Sequence, residues 1–77
     1  RCFELQSKVM NMLAAHKEIV QVHGFLYSEK DNMLSVDVIP DVSIHDDVAL
    51  VSKLASEIQP LVPDTQVVVV VDHNYSE

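Results

Sequence analysis

The segment QVVVVVD, Gln66 to Asp72, admits few conformations. Its successive β-branched side chains are stiff at χ1, and the run is too short and too branched for a preferred helix, so it predicts a strand. A strand needs partners, and the sequence supplies them upstream. Residues 19–27 and 33–39 are rich in Val, Ile, Leu and aromatics, and SEKDN between them supplies turn residues, which predicts a β-hairpin with an exposed polar loop. From Phe3 to about His16, Leu5, Val9, Met12 and Leu13 follow helical spacing with no Gly or Pro among them. A second helix is expected after Pro40, with Ser43 and Asp46 forming a variant of the capping box and carboxylates near the positive end of the dipole. Its core stripe is expected to be Ile44, Val48, Val51, Ala55, Ile58 and Val62, with Pro60 ending or kinking the helix.

The resulting order is αββαβ. Two helices cover one face of so small a sheet, so the expected fold is an α+β, ferredoxin-like two-layer sandwich with a three-stranded sheet and a bare opposite face. Residues 1–77 read as a single domain, without internal repeats or low-complexity tracts. At 77 residues, with one cysteine, the chain is at the low end for a self-sufficient core, which favours oligomerisation or a bound metal as further support.

Composition narrows the function. A formal charge of −7, with only five Lys and Arg that form no stripe, argues against nucleic acid and against anionic lipid, and favours divalent cations weakly. The lone Cys2 suggests a reducing compartment. No stretch approaches the roughly 20 apolar residues of a membrane span, and no signal peptide opens the chain. The chain starts at Arg1 without an initiator Met, and the expectation is a fragment of a longer protein.

Side chains alternate across a strand, so parity assigns faces. Val20, Val22 and Leu26 in the first strand, Leu34, Val36 and Val38 in the second, and Val67, Val69 and Val71 in the third are expected beneath the helices. That leaves Gln21, His23, Phe25 and Tyr27, then Ser35, Asp37 and Ile39, then Gln66, Val68, Val70 and Asp72 on the bare face. His23, Asp37 and Asp72 thus converge there from three strands. One imidazole and two carboxylates suit a divalent ion, which also relieves the repulsion between the acids. Each residue has an ordinary alternative as a solvent-facing strand position. Phe25, Val68 and Val70 form an apolar patch on the same face, which points to self-association. His73 is expected at a fraying strand end, and His16 and His45 lie near helix ends; His45 with Asp46 and Asp47 reads as capping and solvation.

The segments HKEIVQVHGFLYSEKDNMLSVDVIPD and PDTQVVVVVD, with the helix between them, resemble the C-terminal cytoplasmic domain of cation diffusion facilitator transporters, which export divalent metal ions. The resemblance runs from about Ser7 to Glu77. It implies a homodimer joined to an upstream transmembrane domain, on the cytoplasmic side of a membrane, with metal drawing the protomers together. His23 matches the family's first-strand His, Asp37 stands where many members have His, and Asp72 matches the third-strand Asp. Val48 and Val70 occupy positions that are often His. Iron(II) and manganese(II) therefore join zinc as expected ions. A purely structural dimerisation domain with no resident ion is the alternative. An enzyme is not expected, because the chain has no Gly-rich anion cradle, no Arg besides Arg1 and no nucleophile motif.

Overall fold

The computed structural model describes residues 2–73. Helix α1 spans Cys2–Ala14, strand β1 Ile19–Ser28, strand β2 Met33–Pro40, helix α2 Asp47–Ile58 and strand β3 Gln66–Val71, with a 3-10 turn at Gln59–Leu61. The order is αββαβ, and the fold class is α+β, as the sequence predicts. The strands lie in the order β1-β2-β3. β1 and β2 form an antiparallel hairpin, whereas β2 and β3 run parallel because α2 carries the chain back across the sheet.

β2 is the central strand, and Leu34, Val36 and Val38 are fully buried along one face of it. Against them pack Val9 and Leu13 of α1, Leu50, Leu54 and Ile58 of α2, and Val69 of β3. Both helices therefore cover the same side of the sheet. The first helix has the phase that its sequence predicts, with Leu5 and Met12 flanking Val9 and Leu13.

The second helix differs from the expectation in its start and in its stripe. Asp46, not Ser43, is the N-cap and accepts a hydrogen bond from the Ala49 amide at 3.0 Å. Ser43 instead donates its amide and hydroxyl to Asp41 Oδ2, at 3.0 and 2.6 Å, which closes a local turn ahead of the helix. Ile44 thus precedes the helix, and extrapolating a stripe from it puts Val48 in the core. Val48 is in fact 81% exposed, and the buried row is Leu50, Leu54 and Ile58, four residues apart. Pro60 falls in the 3-10 turn, where α2 has ended. Gln59 ties that turn to the next strand by donating to the carbonyls of Val62 and Thr65, both at 2.8 Å.

The hairpin loop holds Asn32 at a φ of 54°, a left-handed conformation that asparagine tolerates better than most residues. Its side chain donates to the Asp64 carbonyl at 2.8 Å and its own carbonyl accepts from Gln66, so the loop also anchors the start of β3. No helix among the described residues is long and apolar enough to cross a membrane.

Candidate metal site on the open sheet face

β2 and β3 obey simple alternation and β1 does not. The register pairs Val22 with Val38 and then Gly24 with Asp37, so β1 advances two residues while β2 advances one. A similar slip between Ile19 and Gln21 makes Val20 the extra residue there. These are β-bulges, and each reverses the face assigned to everything beyond it. The helix-side residues of β1 are consequently Ile19, Val22, Phe25 and Tyr27.

This corrects the placement of Phe25. It lies opposite Val36 and packs against the core, so it is not part of an apolar patch on the open face. Tyr27 is likewise against the core. Leu26 takes the open-face position opposite Ser35 and is 56% exposed, and the bulged Val20 is 61% exposed. Of the expected patch, Val68 and Val70 remain on the open face, where Val70 is 44% exposed.

His23 is the extra residue of the second bulge. Its Nδ1 lies 3.8 Å from Asp72 Oδ2, long for a hydrogen bond but within reach of an ion pair. β1 and β3 are separated by β2, so this contact crosses the central strand. His23 stands between the positions paired with Val38 and Asp37, and Asp72 lies one residue past the Val38–Val71 pair and donates its amide to the Val38 carbonyl, so the contact crosses β2 diagonally. Ile39 is only 3% exposed although it lies outside the helix-side cluster. The open face thus has a small local cover at this end.

Asp37 sits one pair further along β2, between the fully buried Val36 and Val38, and therefore points to the same face as Asp72. It lies opposite Gly24, and its Oδ2 is 3.5 Å from where a Cβ at that glycine would stand. The structure thus joins His23 to Asp72 and rests Asp37 over Gly24. Among the described residues no three His, Cys, Asp or Glu side chains are grouped closely enough to hold a metal ion. What stands assembled is one nitrogen and one carboxylate, with a second carboxylate beside them on the same face.

Other pairs join residues that sequence spacing does not connect. His16, after α1, places Nε2 2.6 Å from Glu57 of α2 and Nδ1 3.6 Å from Glu18. Glu18 also receives Lys53 Nζ at 2.6 Å. That hydrogen bond is the main reason why the Glu18 carboxyl drops from 4.5 to about 2, and it raises Lys53 above its ordinary value. His73 does not fray from the fold: its Nε2 is 2.6 Å from Asp47 Oδ2 at the first residue of α2. Of the residues read from sequence as capping and solvation, Asp46 does cap α2, while Asp47 ties α2 to His73 beyond β3. For the His16–Glu57, Lys53–Glu18 and His73–Asp47 pairs the only sequence signal was the charge itself, because the partners lie 26 to 41 residues apart.

Scans of this chain against protein-family models, curated proteins and solved structures each return no match.

Proposed function

We propose that this chain is the regulatory domain of a divalent-metal efflux transporter, a homodimer that responds to metal ions through His23, Asp37 and Asp72. On this reading it lies on the cytoplasmic side of a membrane, joined to an upstream transmembrane domain, and it binds rather than catalyses. The supporting observation is the 3.8 Å approach of His23 to Asp72 across the central strand. An edge-strand imidazole and a carboxylate from the other edge have no packing reason to meet there. An ion between them would take a nitrogen from His23 and an oxygen from Asp72, with Asp37 turning from Gly24 to supply another oxygen. Zinc, iron(II) and manganese(II) accept such a mixed nitrogen and oxygen set. An ion that binds the tight dimer better than the loose one shifts the population toward it by its difference in affinity.

The test is calorimetric titration of zinc, manganese(II) and anaerobic iron(II) into the wild-type chain and into the Asp37→Asn, Asp72→Asn double variant. At least one ion is expected to bind wild type at least about tenfold more tightly, the scale at which perturbed metal sites lose affinity. Equal binding by both proteins rejects the site. Binding should also weaken on acidification, since a protonated imidazole is no ligand.

A second reading is a structural dimerisation domain without a ligand. The observation favouring it is the lack of a grouped three-residue ligand set among the described residues. Its signature is a dimer that persists in chelator and whose scattering profile does not change with metal.

A further inference from the structure

We propose that the outer edge of β3 is the dimer contact, pairing with β3 of a second copy to make one continuous antiparallel sheet across a two-fold axis. This rests on the homodimer reading above and says which surface carries it.

The argument begins with the direction of the backbone. Gln66 donates its amide to Asn32, the residue just before β2, and Asp72 donates to Val38 on β2. Backbone groups of a parallel strand face alternate sides residue by residue, so Val68 and Val70 also bond toward β2. The N–H and C=O groups of Val67, Val69 and Val71 therefore point away from the sheet. β3 is an edge strand, and among the described residues nothing bonds to that row. An exposed row of backbone donors and acceptors is a template for another strand.

The two edges of this sheet are unlike. β1 has its pairing interrupted twice, at Val20 and at His23, and bulges of this kind twist an edge away from further pairing. β3 pairs with β2 without a single register shift. It also carries no charge, no proline and no glycine between Gln66 and Val71. The features that blunt an edge are present on one side and missing on the other.

The occupant follows from self-complementarity. Outward-pointing residues must meet outward-pointing residues, which leaves registers in which odd positions pair with odd. Centred on Val69, such a register sets Val69 opposite the partner's Val69 and Val67 opposite the partner's Val71. Val68 then meets the partner's Val70, and every cross-strand contact within the valine run is valine on valine, a favourable β-branched pairing. The same register puts Asp72 beside the partner's Gln66, so the carboxylates of two chains with a net charge of −7 each stay apart. A charged or proline-containing partner strand would gain less from this edge than a second copy does.

The experiment combines light scattering on the 77-residue chain through a dilution series with residue-resolved amide exchange on the wild-type protein. Expected is a dimer in which the amides of Val67, Val69 and Val71 are protected along with those of Val68 and Val70, and lose that protection on dilution. Val67→Pro removes an outward amide and leaves the bonds to β2 intact, so it should give a folded monomer. Leu26→Lys, which charges the open face, should remain dimeric. A dimer whose odd-numbered valine amides exchange freely while the even ones are protected overturns the edge contact and leaves dimerisation standing. A wild-type monomer at every concentration overturns both. If Val67→Pro fails to fold, the wild-type exchange pattern alone decides.

Discussion

Gly24 is the only glycine of the chain, and neither its backbone nor its side-chain neighbour demands one. Its φ is not positive, and a Cβ there would meet Asp37 Oδ2 at 3.5 Å, an ordinary contact distance. Gly24→Ala is therefore expected to stabilise the fold by about 0.4–1 kcal/mol, by restricting the unfolded chain, as read from denaturant midpoints. Gly24→Val adds carbons directed at the carboxylate and should displace Asp37, which would show as weakened metal binding with the fold intact. Glu18 gives a prediction in pH. Its carboxyl falls from 4.5 to about 2 in the folded chain because Lys53 holds it ionised. The folded state thus binds fewer protons than the unfolded one in that window, so the contribution is fully present above pH 4.5 and is lost as pH falls toward 2. Glu18→Gln should flatten the acid limb of a plot of denaturation midpoint against pH. High salt should flatten it in the wild type as well, because the pair is exposed.

At the scale of elements, α2 is set by its cap. Asp46 satisfies the Ala49 amide, and Asp46→Ala should cost about 1 kcal/mol, whereas Ser43→Ala should cost less because Ser43 serves only the Asp41 turn. Helicity and thermal melting of the two variants, measured together, check the ordering. Two good capping residues three apart are why the sequence reading started this helix at Ser43, too early; of its stripe, Ile44, Val51, Ala55, Ile58 and Val62 do lie in or against the core, Val48 does not, and Leu50 and Leu54 were missed. α1 was legible because nothing competes with its row of Leu5, Val9, Met12 and Leu13. β2 and β3 were legible because they pair without a slip. β1 was not, since Val20 and Leu26 are as apolar as Val22 and give no sign of the added residues. Which face each takes is decided by β2, whose own alternation leaves no choice. The meeting of His23 with Asp72 was legible, although for His23 the bulge and not plain alternation sets its place. The ties from His16 to Glu57 and from His73 to Asp47 were not, because only the folded chain brings them together.

For the whole molecule, one buried cluster serves both helices and all three strands. Leu54, fully buried within it, should cost about 2–5 kcal/mol on replacement by alanine. That is a large share of the roughly 5–15 kcal/mol that holds a typical domain, so Leu54→Ala should melt far below Val48→Ala, which touches an exposed site. His23 behaves in the opposite way. Its neighbours Val22 and Gly24 already face Val38 and Asp37, which are adjacent. Excising His23 would remove one of the two interruptions of the hairpin ladder, leave every other pairing of β1 where it is, and should leave the melting temperature at or above that of the parent chain. On that outcome the imidazole is a passenger as far as the architecture is concerned, a part that can be unplugged without dismantling its housing.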